Sequence, residues 1–283
     1  MTPAGRADLH THSTASDGTE PPEVVVARAA EAGLAAVALT DHDTVAGWDA
    51  AAGAAVEYGI TLVRGMEMSC RAGRVTVHLL SYLHDPDHPG LAAEVARART
   101  SRVERARIMV ERIAADHSLT WEMVLEHAQQ GATIGRPHVA DALVTLGIIE
   151  HRSQAFDTLL HRSSPYYVPY YSPEHTHAVR LVREAGGVPV IAHPFAHARG
   201  AVVDDADIAA MVDAGLLGIE VDHRDHDPKS RERAAGLARR FGLLATGSSD
   251  YHGAGKPNRL GENSTDMATV ARIAELGVLG LVD

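Results

Sequence analysis

Short apolar runs recur along this chain, each ends on a polar or ionisable residue, and helical segments separate them. Residues 7–10, 34–40, 60–63, 188–192, 218–221 and 243–247 read as strands, and residues 74–82 alternate with period two. Helices are predicted over about residues 20–32, 45–58, 173–184, 205–214, 228–241 and 265–276, with Gly33 and Gly59 closing the first two. About seven strand–helix units argue for a closed or nearly closed α/β barrel. In such a barrel the strand C-termini open onto one face, and sites are built there.

Between residues 84 and 177 the alternation stops. Helices are predicted near 91–115, 120–129, 139–146 and 153–161, and a Tyr-rich stretch, Tyr166 to Tyr171, follows. We read residues 84–177 as an inserted helical subdomain covering the site, and residues 1–83 with 178–283 as the barrel. The plainer alternative is a set of long barrel helices.

The strand ends carry the chemistry. Asp8-Leu9-His10-Thr11-His12 leads into a polar loop with Asp17 and Gly18. In extended chain, side chains two apart share a face, so His10 and His12 can grip one cation, and Asp17 can reach a neighbouring one. With 18 histidines, chance alone gives roughly one His-x-His pair. The second pair, His175 and His177, opens a predicted helix, where residues two apart diverge, and reads as surface. Further strand ends carry His42, Glu67, His78, His193, and Asp250 with His252. Six histidines and three carboxylates exceed the ligand set of one metal and suit two or three cations sharing a bridging carboxylate.

Singly, each has a bland reading. His78 would be a satisfied core histidine, His42 a neighbour of a helix cap, Glu67 a partner of Arg64 or Arg71, and Asp250 with His252 a turn. Their shared position after strands favours the joint reading. Other suggestive residues are set aside. His223-Arg224-Asp225-His226-Asp227 reads as a charged loop, and residues 253–257 lack the spacing of a phosphate loop. Ser13, Ser248 and Ser249 have no Ser-His-Asp pattern, and Cys70 reads as a small strand-end residue. His84, His88, His117, His127, His151 and His161 read as solvated surface.

A net charge of −11 makes the chain a poor binder of duplex DNA. One cysteine excludes an intrachain disulfide and a thiolate metal cluster, and fits a reducing compartment. Residues 1–8 lack an apolar signal core, and no stretch approaches the ~18 apolar residues of a membrane span. The expectation is a cytoplasmic protein with no membrane contact and no obligate protein partner.

His10-x-His12, Ser16-Asp17-Gly18, Thr40-Asp41-His42, Glu67, His78, Ala192-His193-Pro194 and Ser249-Asp250-Tyr251-His252 resemble, in order, the motif set of the PHP (polymerase and histidinol phosphatase) family of metal-dependent phosphoesterases. Gly135-Arg136-Pro137-His138 and residues 255–259 further resemble a branch that acts on nucleotides. Its members remove the 3′-phosphate of 3′,5′-bisphosphates or trim RNA from its 5′ end. The resemblance implies a distorted (β/α)7 barrel with a trinuclear site. His10, His12, Glu67 and Asp250 would hold one cation, Glu67, His78 and His193 a second, and Asp17, His42 and His252 a third. All-N/O ligands suit Mn, Fe or Zn, with Mn our choice. Hydrolysis by a metal-bridging hydroxide is expected, with Glu67, His193 and Asp250 as catalytic residues. Arg136 and His138, and after them Arg199 and Lys256, are candidates for phosphate or nucleotide contacts. The competing readings are a metabolite phosphatase of the histidinol-phosphate type, a non-catalytic metal-binding module, and a metal-dependent amidohydrolase. The last lacks a strand-end Lys for a bridging carbamate.

Overall fold

The computed structural model describes residues 5–283, so the first four residues of the stretch read above as lacking a signal core lie outside it. Eight strands form one sheet: β1 (Arg6–Thr11), β2 (Ala36–Leu39), β3 (Thr61–Ala72), β4 (Val75–Tyr82), β5 (Val188–Ala192), β6 (Gly218–Asp222), β7 (Leu244–Gly247) and β8 (Thr265–Asp266). Their order is β7-β6-β5-β4-β3-β2-β1-β8. β1, β2 and β3 pair in parallel, as do β5, β6 and β7, while β4 runs antiparallel to both its neighbours. The reversal follows from the tight turn at Gly73, whose φ of +55° lies in the left-handed region that glycine tolerates. β2 and β5 are short and wholly apolar because they are buried on both faces of the sheet.

The ends of the sheet meet. Thr11 bridges Tyr251 in parallel, just past β7. Asp8 accepts from the backbone N–H of Ser249 at 3.0 Å and of Gly261 at 2.8 Å. The Thr265 hydroxyl donates to the Gly247 carbonyl at 2.8 Å, and its oxygen accepts from the Gly247 N–H at 2.9 Å. These side chains replace the missing ladder and make the barrel nearly closed.

The helices are α1 (Pro22–Glu31), α2 (Trp48–Tyr58), α3 (Pro89–Ile113), α4 (Trp121–Leu125), α5 (Arg136–Thr145), α6 (Arg152–Asp157), α7 (His175–Glu184), α8 (Asp205–Asp213), α9 (Pro228–Phe241) and α10 (Met267–Leu276). Helices α3 to α6 have an apolar core of their own, in which Met109, Ile113, Val139, Leu143 and Leu160 are fully buried. They touch the barrel at the loop after β1, where the Thr133 N–H donates to the Ala15 carbonyl at 3.1 Å and Arg152 Nη1 to the Asp17 carbonyl at 3.1 Å.

Some elements differ from the sequence reading. β3 runs on to Ala72 because β4 pairs along its whole second half. β8 is a two-residue strand where a helix start was expected, since Asp266 caps α10 by accepting from the Thr269 N–H at 2.7 Å. Helices α4 and α6 are single short turns.

Candidate metal centre

β1 carries His10 and the chain just past it carries His12, and both rings fall on one face, with their Nε2 atoms 3.1 Å apart. The following loop folds back because Gly18 allows it: a Cβ there would sit 2.5 Å from the His12 carbonyl oxygen. Buried Asp41 holds this loop, accepting from the Ser13 N–H at 2.8 Å, the Ser13 hydroxyl at 2.7 Å and the Ser16 hydroxyl at 2.6 Å. Asp17 is thereby turned towards the rings of His12, His42 and His252.

Glu67 lies at the centre. It is inside β3, not after a strand as expected, and it reaches the others because His42 bridges it from the end of β2. Its Oε2 is 3.2 Å from His10 Nε2, 3.1 Å from His12 Nε2 and 3.2 Å from His42 Nδ1. Its Oε1 is 2.7 Å from His78 Nδ1 and 3.3 Å from His193 Nε2. Asp250 Oδ1 faces His10, His12 and His252 at 3.6, 3.4 and 3.5 Å. All nine residues named from the sequence converge on one buried cluster, and His78 is the most open of them.

The donor atoms form three overlapping groups: His12, Asp17, His42 and His252; His10, His12 and Glu67; and His42, Glu67 and His78. Within each group the atoms lie within 4.8 Å of one another. His42 Nδ1, Glu67 Oε1, His78 Nδ1 and His252 Nε2 are buried without any hydrogen-bond partner among the described residues. Buried polar atoms without partners are rare in folded proteins. Hard and borderline donors facing one another at these spacings fit divalent cations.

The electrostatics are those of carboxylates and imidazoles packed together out of water. Burial would raise the Glu67 pKa, but the imidazoles of His78, His42 and His10 hold it well below the carboxylate range. Burial is likewise outweighed at Asp250, which Lys256 and Arg199 hold low. Burial lowers His12, yet Asp250 and Glu67 lift it to about 9. Burial and the nearby Lys256 push His252 down to about 4. Backbone strain marks the same place: His193 and Asp250 are non-glycine residues at φ +29° and +55°. The His193 N–H donates to Glu220 Oε2 at 2.7 Å, which helps to hold that conformation.

A sequence model of the PHP domain matches residues 8–179. The chain belongs to the PHP family. The 3′,5′-nucleoside bisphosphate phosphatase of Chromobacterium violaceum is 35% identical over 94% of this chain and 93% of its own length. The 5′-3′ exoribonuclease Rnm of Salmonella typhimurium is 33% identical over 87% of this chain and 84% of its own. A crystal structure described as a candidate metal-dependent phosphoesterase from Bifidobacterium adolescentis superposes with a TM-score of 0.95 at 43% identity, covering 98% of both chains. Both enzymes break phosphate esters, and this PHP chain is a metal-dependent hydrolase of the same ester class.

Several residues of this PHP chain escaped the sequence reading. Glu220, fully buried in β6, accepts from Ser248 Oγ and lies 3.4 Å from His10 Nδ1. A carboxylate inside an otherwise apolar strand was its one signal. His223, set aside as a charged-loop residue, is fully buried, with Nε2 3.7 Å from Asp250 Oδ2, because the loop after β6 turns inward. Arg102 of α3 reaches Asp43 Oδ2 at 3.1 Å and the Ser69 hydroxyl. Asp43 in turn follows His42 and donates its N–H to the Glu67 carbonyl at 3.0 Å. One turn along α3, Arg105 is 6% exposed, its guanidinium rests on the rings of Tyr170 and Tyr167 at 4.6 and 5.7 Å, and it forms no ion pair with a carboxylate among the described residues. Burial, with Arg136 beside it, pulls its pKa down to about 9. An arginine in a charged helix gives no signal of this kind in sequence.

The residues expected at phosphate are divided. Arg136 joins Arg105 against Tyr167, with the Leu160 carbonyl at 3.1 Å as its one acceptor among the described residues. His138 is instead occupied at the start of α5, where its Nδ1 accepts from the Gly135 N–H at 3.2 Å. Arg199 Nη2 and Lys256 Nζ both donate to Asp250 Oδ2, at 2.7 and 2.9 Å. Two of the histidines read as surface are buried: His84, which meets Ser81 Oγ at 2.8 Å and packs on Trp48, and His175, beside Glu174. His84 lies just past β4, not in a helix, and His175 faces inward at the start of α7.

Proposed function

We propose that this enzyme hydrolyses phosphate esters of nucleotides that carry a second phosphate. Its substrates would be nucleoside 3′,5′-bisphosphates, from which it removes the 3′-phosphate, and short 5′-phosphorylated RNA, which it trims from the 5′ end. The names of the two relatives support this reading. The observation that carries it is the pair Arg105, buried, and Arg136, half-buried, neither of which forms an ion pair with a carboxylate among the described residues. Arg102 links that pair to the donor cluster through Asp43. A buried cation without a counter-ion is unfavourable until an anion arrives, and a planar guanidinium matches phosphate. A substrate with one ester at the cluster and a second phosphate at the arginines satisfies both.

Two to three divalent cations, with Mn our choice, would be held by His10, His12, Asp17, His42, Glu67, His78, His193, Asp250 and His252. Such cations lower the pKa of water and neutralise charge on the transferred phosphoryl group. Glu67, with an oxygen towards each side of the cluster, suits the bridging position. Asp250, fixed by Arg199 and Lys256, keeps its other oxygen turned to His10, His12 and His252. Net charge of −11 favours a small or single-stranded ligand over duplex DNA. No helix among the described residues is long and apolar enough to cross a membrane, and the one cysteine is free and buried, which supports a cytoplasmic setting.

The test is Mn-reconstituted hydrolysis of adenosine 3′,5′-bisphosphate, a 5′-phosphorylated RNA trimer and histidinol phosphate, with products resolved by chromatography. Phosphate from the bisphosphate, or mononucleotides from the trimer, is the expected result, and His193→Ala should abolish it. Turnover of histidinol phosphate alone would move the enzyme to the metabolite phosphatases.

A further inference from the structure

The loop after β6 carries two histidines, and they are wired differently. His226 is satisfied on both sides: Nδ1–H donates to the Val221 carbonyl at 2.9 Å, and Nε2 accepts from the Phe195 N–H at 3.2 Å. It ties β6 to the segment after β5. His223 is fully buried and satisfied on one side only. Its Nδ1 accepts from the Asp225 N–H at 3.0 Å, while its Nε2 has no hydrogen-bond partner among the described residues.

That single bond decides the tautomer. A neutral imidazole has one donor nitrogen and one acceptor nitrogen. A backbone N–H can only donate, so Nδ1 holds the lone pair and Nε2 carries the hydrogen. Ligating a cation through Nε2 would need the opposite arrangement, with Nδ1–H set against the Asp225 N–H. His223 therefore presents a donor to the centre. The ring lies 5.2 Å from that of His193, and Nε2 lies 3.7 Å from Asp250 Oδ2. This distance is too long for a hydrogen bond, and that oxygen already accepts from Arg199 and Lys256. A fully buried N–H aimed at a reaction centre lacks an acceptor, which folded proteins avoid.

We propose that His223 is a substrate-contacting residue that donates Nε2–H to a phosphoryl oxygen at the centre, and is not itself a cation ligand. The acceptor it needs is rich in lone pairs and arrives only with the ligand. The assignment rests on the phosphoester reading above. It adds a neutral donor on the side of the centre formed by His193 and Asp250.

The experiment compares Mn-loaded wild type with His223→Ala, His223→Gln and His223→Asn. Three quantities are measured: Mn content by elemental analysis, affinity for inorganic phosphate by calorimetry, and turnover of adenosine 3′,5′-bisphosphate. Mn content should be equal in all four proteins. His223→Ala should weaken phosphate binding and kcat/KM about 10- to 100-fold, the range for one hydrogen bond to a charged group. The Gln amide reaches as far as Nε2 and should recover most of the loss. The shorter Asn amide occupies the Nδ1 position and should not, and it stands in for Ala if His223→Ala fails to fold. Lower Mn content in the variants would make His223 a ligand and overturn the proposal, as would unchanged phosphate affinity in both His223→Ala and His223→Asn. Wild type that is fully loaded yet neither binds phosphate nor turns over would remove the phosphoester reading, and this proposal with it.

Discussion

Glu67 Oε1 and His78 Nδ1 lie 2.7 Å apart in the buried cluster, misaligned for a hydrogen bond and without any other hydrogen-bond partner. Two polar atoms pressed together in this way are stable only with a proton or a cation shared between them. Glu67→Gln keeps the shape of the side chain and removes its charge. It should fold, retain less Mn by elemental analysis, and lose more activity than the roughly 10–100-fold that follows loss of an outer-shell partner. Full Mn content with full activity would exclude Glu67 as the bridge.

Removing the cations should destabilise the fold, because it leaves closely packed carboxylates and unpartnered polar atoms buried. With free Mn at about 100 times its dissociation constant, linkage adds about 2.7 kcal/mol, a rise in Tm of about 4–5 °C for a chain of this size. Ligating imidazoles must be neutral, so the Mn-induced rise should grow between pH 6 and pH 8. Thermal unfolding in a chelator, then with Mn restored, checks both statements.

Arg105 is buried against Tyr170 and forms no ion pair with a carboxylate among the described residues. Arg105→Gln should raise KM for adenosine 3′,5′-bisphosphate about 10–100-fold, the worth of a charge-assisted hydrogen bond, and leave a phosphate monoester without a second phosphate nearly unaffected. Thermal stability in phosphate-free buffer should not fall, since the variant removes an unneutralised buried charge. Equal losses on both esters would mean that the arginine serves the fold and not the second phosphate.

His84 gives the protein an acid-sensitive element away from the cluster. Burial pushes its pKa down from 6.5 to about 4, so below pH 6.5 the unfolded chain takes up a proton that the folded chain refuses. Its neutral form costs nothing above pH 6.5, and stability drains away as pH falls towards 4, by about 3 kcal/mol in all. His84→Asn should be less stable at pH 7 but lose less on acidification. Tm measured from pH 7.5 to 4.5 should converge for the two proteins, and parallel curves would refute the assignment.

Much of the cluster was legible because its His, Asp and Glu residues sit at fixed offsets from strands. His10 and His12 share a face through the two-residue period of extended chain, and His42, His193, Asp250 and His252 each follow an apolar run. Residues that act through packing carry no such mark. Glu220 looks like any polar interruption of a strand, and Arg102 and Arg105 look like the other arginines of a charged helix. His223 and His226 are three apart in one loop, and only their hydrogen bonds tell the structural ring from the one turned to the centre.

Local periodicity thus determined that this chain alternates strands and helices, that the alternation is interrupted, and which polar side chains end the strands. These are properties of neighbouring residues, and backbone geometry alone enforces them. Only the tertiary structure decided that β4 reverses, that the strand carrying Glu67 runs on past it, and that Arg199 and Lys256 hold Asp250. Those outcomes depend on groups far apart in sequence competing for the same hydrogen bonds and the same buried space, and that competition is settled only when the barrel closes.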